Sequence, residues 1–172
     1  DMPQDEVGAT ASVVGVGAIV FANLASQREK DVEFSWDDVL NWEKGDNGPY
    51  IQYAHARCCS VLRKGETHVD AAVEPTPLVQ QDEWQLARHL SEIPDVVARA
   101  AENNDPHLLS RYLLDLSATF SRWYTGGNCD RNLRVLCDDA PTRRARLALV
   151  AATRSVLRTG LNLLGMQAPD SM

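Results

Sequence analysis

Hydrophobic side chains recur along this chain at spacings of three and four residues, which is the pattern of amphipathic helices. The clearest stripe runs to about residue 124 and is formed by Leu109, Tyr112, Leu113, Leu116, Phe120 and Trp123. Similar patterns predict helices over residues 8–26, 35–44, 49–64, from residue 81 onward with a division at Pro94, and 139–164. No segment shows the period of two that a strand requires. The pattern therefore predicts an all-α fold: a bundle over residues 48–172, preceded by a helical appendage.

Capping residues and glycines mark where these helices begin and end. Ser35 and Asp105 precede helical stretches, where a short polar side chain can accept a hydrogen bond from a free backbone N–H. Gly65 is expected to terminate the helix before it. Gly126 and Gly127 are expected to break the helix that precedes them and to open a flexible loop. Residues 66–79 read as a long surface loop. Residues 1–7 are expected to be disordered or to be a cut end.

Composition and charge limit the class of protein. The chain has 172 residues, 44% of them hydrophobic and 24% charged, which suits a soluble globular domain with an appendage. The net charge of −7 argues against a nucleic-acid partner. However, residues 140–169 contain no acidic residue and carry Arg143, Arg144, Arg146, Arg154 and Arg158. Phosphate binding depends on local charge, so an RNA partner stays open beside the alternative of a solvated helix face.

The sequence also bears on location and on metal binding. The apolar run at residues 11–24 holds two glycines, a serine and an asparagine, and reads as too short and too polar for a membrane span. The first ten residues are acidic, unlike a signal peptide, so we expect a cytoplasmic protein. The four cysteines form no Cys-x-x-Cys pair, so no metal site is expected.

The richest chemistry lies in residues 48–57, which place aromatic, amide, imidazole and guanidinium groups on one short helix. At 100° per residue, Tyr50, Tyr53 and Arg57 share one face of that helix. A helix built only for packing would carry Leu or Val at most of these positions. This set of side chains is suited to gripping a folded RNA.

The same region carries a resemblance to a known family. The stretch GPYIQYAHARCCSVLRK, from residue 48 to residue 64, resembles the opening helix of the anticodon-binding domain of arginyl-tRNA synthetases. Residues 16–24, 34–37 and 47–50 are similar to the end of that family's catalytic domain. Residues 161–172 are similar to the usual ending of these enzymes, down to a C-terminal methionine. The resemblance covers essentially the whole chain in the family's order.

The resemblance implies that two parts of the chain belong to different domains. Residues 1–47 would be the tail of the catalytic domain, and residues 48–172 the helical bundle that reads the tRNA anticodon. The HIGH and KMSKS signatures do not occur in this sequence. The chain alone should therefore be catalytically inactive and hold no cofactor, with ATP and Mg²⁺ belonging to the full-length enzyme. The implied partners are tRNA(Arg) and the missing N-terminal catalytic part of the same polypeptide, and no DNA or membrane.

The resemblance also implies site residues. Carried over by position, Arg57, Tyr124 and Met172 form the surface that binds the anticodon, with Met172 supplying a thioether and a carboxylate. Further anticodon contacts are expected from the opening helix, at Tyr50, Gln52, Tyr53 and His55. Contacts to the tRNA backbone are expected from Arg143, Arg144 and Arg146. Each of these residues has a plain alternative as a surface or packed side chain, and Tyr53 and His55 in particular could be packed.

The resulting hypothesis is the tRNA(Arg)-binding part of an arginyl-tRNA synthetase, which supports ATP-dependent ligation of arginine to tRNA(Arg). The alternative is a free-standing module derived from such an enzyme that serves as an RNA- or protein-binding scaffold. An autonomous enzyme is disfavoured because the sequence shows no nucleophile–base pair and no phosphate loop.

Overall fold

The computed structural model describes residues 4–27, 29–31, 34–41, 45–65 and 73–172. Within these residues the chain forms helices and connecting segments and no strand, which confirms the all-α fold. The helices are α1 (Gln4–Leu24), α2 (Trp36–Leu40), α3 (Gly48–Gly65), α4 (Gln81–Ser91), α5 (Ile93–Glu102), α6 (Pro106–Cys129) and α7 (Ala140–Leu163). A short 3-10 turn, Arg131–Leu133, lies between α6 and α7.

Helix α3 lies at the centre of the molecule, where it packs against α1, α6 and α7. Helix α4 packs against α6 and α7, and α5 packs against α6 and α4. The core between them is formed by fully buried side chains that include Ile51, Leu86, Leu113, Leu116, Phe120, Leu147, Leu157 and Leu161. Each such side chain contributes about 1.5–3 kcal/mol relative to an exposed position. Several of them belong to the stripe of α6 that the sequence pattern predicted.

The helix boundaries follow the capping chemistry. Ser35 and Asp139 each accept a hydrogen bond from the backbone N–H three residues further on, at 3.4 and 3.0 Å. Asp105 accepts one from the backbone N–H two residues further on, at 3.2 Å. Pro94 lies in the first turn of α5, which it separates from α4 as predicted. Gly165, with a φ of +75°, follows the end of α7.

The glycine pair of α6 does not break the helix, and that prediction was wrong. Helix α6 continues through Gly126 and Gly127 to Cys129. A glycine inside a helix costs about 1 kcal/mol relative to alanine. The close packing of residues 133–134 against the helix explains why a glycine stands at position 127. A methyl group there would lie 3.0 Å from the Cα of Arg134 and from the carbonyl oxygen of Leu133. The glycine therefore lets the chain after α6 fold back against the helix.

Two helix ends also differ from the sequence prediction. Helix α1 begins at Gln4, so residues 4–7 are helical, while residues 1–3 lie outside the described part. Helix α3 includes Gly65 as its last residue. Of the predicted surface loop, residues 66–72 lie outside the described part, and residues 73–79 are irregular as predicted.

Helix α1 packs on α3 through Gly17, Ala18 and Phe21, which are buried. Its opposite side is open, with Val16 62% exposed. Within the described part of the chain, α1 is the one helix long and apolar enough to cross a membrane, with a mean hydropathy of 1.8 over Glu6–Leu24. The prediction that this run is too short and too polar to span a membrane was therefore wrong, as judged by length and composition alone. The inner side of α1 nevertheless packs on α3.

Candidate nucleic-acid interface

An arginine and two tyrosines meet where α3 lies beside α6. The Cζ atom of Arg57 lies 4.5 Å from the centre of the Tyr53 ring and 5.3 Å from the centre of the Tyr124 ring. The Arg57 Nη2 group also donates a hydrogen bond of 2.9 Å to the Tyr53 hydroxyl. All three side chains are half-buried. We call Tyr53, Arg57 and Tyr124 the platform, since they hold flat groups in a fixed arrangement that solvent can still reach.

The platform forms one wall of a cavity of about 300 Å³, here called the first cavity. It is lined by Tyr53, Ala56, Arg57, Ser60, Arg63, Tyr124, Ser171 and Met172. Met172 is 42% exposed. The structure thus brings together Arg57, Tyr124 and Met172, which come from three distant parts of the sequence. Their role as RNA contacts stays a prediction.

The tail, residues 165–172, is attached to α3 by a row of polar side chains. Helix α3 places a donor at every third or fourth position on the side that faces the tail. These donors are Gln52 Nε2 (2.8 Å), His55 Nδ1 (2.9 Å), Cys59 Sγ (3.4 Å) and Arg63 Nη1 (3.1 Å). Gln52 donates to the carbonyl oxygen of Gln167, and His55 donates to that of Pro169. Cys59 donates to the Asp170 carboxylate, and Arg63 donates to the carbonyl oxygen of Asp170. We call this row the tail anchor, and it holds Met172 beside the platform.

The structure contradicts the prediction that Gln52 and His55 contact the anticodon directly. Both side chains have no exposed surface, because the tail covers them. Burial lowers the pKa of His55 below its usual value of about 6.5, which favours the neutral ring at pH 7. Because the carbonyl oxygen of Pro169 can only accept a hydrogen bond, Nδ1 carries the proton that it donates there. Burial, with a hydrogen bond to Asp170, raises the pKa of Cys59 to about 11, which keeps the thiol protonated. These side chains position the tail.

Tyr50 lies away from the platform. It is half-buried, and its ring lies against Gly45, where an added methyl group would be 3.7 Å from the ring. Its backbone N–H donates to the Asn47 side chain at 3.1 Å, so Asn47 caps the start of α3. Tyr50 is not among the side chains that line the first cavity. Tyr50 is therefore not among the residues proposed to contact RNA.

Arg146 is also placed differently from the prediction. Only 3% of its side chain is exposed, and its Nε donates to Glu83 Oε1 at 2.6 Å in a buried ion pair. Its Nη1 donates to the carbonyl oxygens of Asn132 and Arg134 at 2.6 and 2.9 Å. A guanidinium group that is buried and hydrogen-bonded in this way cannot reach an RNA phosphate. Arg146 instead ties the chain after α6 to α4 and α7.

The two neighbouring arginines of α7 differ from each other. Arg143 is half-buried and its Nη1 donates to the carbonyl oxygens of Cys137 and Asp138 at 2.8 and 3.2 Å, which steadies the turn before α7. Arg144 is exposed. Of the three predicted backbone contacts, Arg144 is thus the one whose side chain solvent reaches most freely.

A second cavity of about 250 Å³ adjoins the first. It is lined by Val61, Lys64, Tyr124, Gly127, Arg134, Val135 and Leu136. Among the described residues, neither cavity has an acidic side chain in its lining, whereas Arg57, Arg63, Lys64 and Arg134 line them. Sequence reasoning missed Arg63, Lys64 and Arg134, since nothing in their spacing shows that the chain after α6 folds back beside the end of α3.

Within the described residues, one group of side chains has the spacing of metal ligands. It consists of His55, Cys59 and Asp170, whose ligand atoms lie within 4.8 Å of one another. Mg²⁺ prefers oxygen ligands, so a set with one imidazole and one thiol does not fit that ion. The hydrogen bonds of the tail anchor already engage these three side chains. This group of side chains is therefore not suited to Mg²⁺.

Comparison with known proteins gives one family. Residues 51–172 match the family described as DALR anticodon binding domain. The chain is 40% identical over 159 residues to the arginine–tRNA ligase of Clostridioides difficile, covering 92% of this chain and 27% of that protein. It is 38% identical over all 172 residues to the arginine–tRNA ligase of Haloarcula marismortui, covering 28% of it. The chain thus spans little more than a quarter of the length of these curated relatives.

Solved structures agree with these relatives. The arginyl-tRNA synthetase of Thermus thermophilus superposes with a TM-score of 0.87 at 38% identity, over 100% of this chain and 28% of that one. The arginyl-tRNA synthetase of Plasmodium falciparum superposes with a TM-score of 0.80 at 30% identity, over 95% of this chain and 28% of that one. These likenesses extend over the appendage as well as over the bundle.

Proposed function

The chain belongs to the DALR anticodon-binding domains, in the form found in arginyl-tRNA synthetases, and we propose that it holds the anticodon loop of tRNA(Arg) on the platform. The observation that carries this proposal is the meeting of Arg57, Tyr124 and Met172 in one cavity. Residues 1–47 would belong to the catalytic domain and residues 48–172 to the anticodon-binding bundle.

The chemistry of the platform suits an unpaired base. RNA loops are read by stacking splayed bases on aromatic rings or guanidinium planes and by hydrogen bonds to the base edges. Tyr124 offers a ring, and Arg57 offers a charged plane already held against two rings. Because Arg57 is fixed before RNA arrives, little of its rotational freedom would be lost on binding. The cationic lining of both cavities would attract the neighbouring phosphates.

We further propose that the protein to which this chain belongs is an arginine–tRNA ligase of the cytoplasm that uses ATP. The chain contains neither HIGH nor KMSKS, so ligation itself is assigned to another part of the polypeptide. The contribution of this chain would be to bind the anticodon end of tRNA(Arg). The scaffold alternative is not favoured, because residues 51–172 match the anticodon-binding family and the chain superposes on an arginyl-tRNA synthetase with a TM-score of 0.87.

A binding titration with paired variants tests this proposal. Labelled tRNA(Arg) and a non-cognate tRNA would be titrated with the chain and with Tyr124→Ala at two salt concentrations. Loss of base stacking should weaken binding of tRNA(Arg) by about 1–3 kcal/mol, or about five- to 150-fold. Trp36→Ala is the matched control, since Trp36 is 59% exposed on α2 and lines neither cavity.

The cognate and non-cognate affinities decide the outcome. Preference for tRNA(Arg) that Tyr124→Ala abolishes and Trp36→Ala leaves intact would support the platform. Equal binding of both tRNAs, or equal loss in the two variants, would contradict it.

A further inference from the structure

We propose that His55, Cys59 and Asp170 form a binding site for one Zn²⁺ ion, which fastens the tail to α3. His55 and Cys59 lie about one helical turn apart on α3, and Asp170 belongs to the tail. The ligand atoms of the three side chains lie within 4.8 Å of one another. Such a site would act on the tail and does not require that RNA binds.

The spacing of the ligand atoms suits tetrahedral zinc. Cys59 Sγ lies 3.8 Å from His55 Nε2 and 3.4 Å from Asp170 Oδ1. Zinc with a Zn–S distance of about 2.3 Å and Zn–N or Zn–O distances of about 2.0–2.2 Å places neighbouring ligand atoms about 3.3–3.6 Å apart. The two separations that include the sulfur therefore already have nearly the required length. The third can be closed by the side chain of Asp170, which is exposed.

The imidazole of His55 is oriented as in a zinc-binding histidine. Its Nδ1–H donates 2.9 Å to the carbonyl oxygen of Pro169, so the lone pair is on Nε2. A histidine that binds a metal through one ring nitrogen almost always donates the other N–H to a carbonyl or carboxylate oxygen, which fixes the tautomer. The thiol of Cys59 has one proton, and its hydrogen bond to Asp170 uses that proton. This thiol therefore leaves the buried Nε2 lone pair available to a metal ion.

The chemistry of the ligands selects zinc. Thiolate and imidazole ligands favour Zn²⁺, whereas Mg²⁺ and Ca²⁺ favour sites made of oxygen atoms. On binding, the S–H bond of Cys59 breaks, its proton goes to water and a Zn–S bond forms, with no change of oxidation state. The thiolate and the Asp170 carboxylate together balance the charge of the ion. The described side chains supply three ligands, and a water molecule would complete the tetrahedron.

Burial gives the site both an enclosed side and an entrance. His55 and Cys59 are 0% and 5% exposed, whereas Asp170 is exposed, so an ion can enter beside the tail. Without metal, a thiol is the side-chain donor that holds the Asp170 carboxylate, and a thiol is a weak donor. A bound ion would replace that contact by coordinate bonds, two residues before Met172. Zinc would therefore stabilise the docked form of the tail.

Titration with Co²⁺, followed by absorption, tests the site. Cobalt takes zinc sites and, unlike zinc, gives a charge-transfer band in the near ultraviolet when a thiolate binds it. The proteins are the unchanged chain, Cys59→Ser, Asp170→Asn and the matched control Cys137→Ser. Cys137 is a free, half-buried cysteine outside the group. Serine at position 59 keeps a donor for Asp170, and circular dichroism checks that each variant is folded.

The unchanged chain and Cys137→Ser should each bind one Co²⁺ with a thiolate band, and Zn²⁺ should remove that band by displacement. Cys59→Ser should give no band. Since loss of an outer partner alone costs about 10–100-fold in metal affinity, Asp170→Asn should weaken Zn²⁺ binding by at least about tenfold. Zn²⁺ should raise the Tm of the unchanged chain and of Cys137→Ser but not that of Cys59→Ser, because an ion that binds the folded state stabilises it.

Three results would overturn the zinc site. The first is the absence of a thiolate band when Co²⁺ is far in excess over the unchanged chain. The second is a band of equal strength in Cys59→Ser, which would place the metal on another thiol. The third is an unchanged Zn²⁺ affinity in Asp170→Asn, which decides alone if Cys59→Ser does not fold. RNA is absent from the experiment, so none of these results bears on the platform.

Discussion

At the scale of single residues, identical side chains near one another have different tasks. Arg143, Arg144 and Arg146 lie within one turn of α7, yet one supports a turn, one is exposed and one is buried against Glu83. Sequence reasoning grouped them because their types match and their burial is invisible in a local pattern. The stripe of α6, by contrast, was predictable since its period reports burial directly.

The buried pair gives a stability prediction. Arg146→Ala should lower the free energy of unfolding by about 3–5 kcal/mol, because it leaves the Glu83 carboxylate buried without its partner. Arg144→Ala, two residues earlier on the exposed side, should change it by less than about 0.5 kcal/mol. Urea unfolding followed by circular dichroism measures both. Similar losses in the two variants would contradict the assigned roles.

At the scale of elements, α3 carries two functional sides. One side holds Tyr53 and Arg57 at the platform, and the other holds the tail anchor. The shared face of Tyr53 and Arg57 followed from helical geometry, and the structure has it. The tail anchor could not be foreseen, since the partners of Gln52 and His55 lie more than a hundred residues away in sequence and meet them only in the folded chain.

The buried His55 and the half-buried His89 give a pH prediction. Burial lowers the pKa of His55 and of His89, so the unfolded chain binds more protons than the folded chain just below the usual pKa of about 6.5. Stability should therefore be fully present above about pH 6.5 and should fall as the pH is lowered from there. Urea unfolding at pH 7.5 and pH 5.5 measures the drop.

Two single variants test whether these histidines cause the loss of stability at the lower pH. His55→Gln and His89→Gln should each show a smaller difference between the two pH values than the unchanged chain does. A drop of unchanged size in both variants would mean that other groups cause it.

At the scale of the whole molecule, charge distribution matters more than the total. A chain with a net charge of −7 has no acidic side chain in the described linings of its two cationic cavities, while acidic groups line a cavity beside α5. The all-α fold and the family were predictable from sequence, because helical periodicity and the order of the motifs can be read from the amino-acid sequence alone. The second cavity was not, since it depends on how the chain after α6 returns to α3.

The most direct measurement of the central claim follows the methionine methyl groups by NMR during titration with the anticodon stem-loop of tRNA(Arg). Met172 lines the first cavity, whereas Met166 is 3% exposed in the core and serves as an internal control. RNA on the platform should shift the Met172 methyl signal in proportion to the bound fraction and leave that of Met166 in place. Saturating RNA binding with an unmoved Met172 signal would contradict the account.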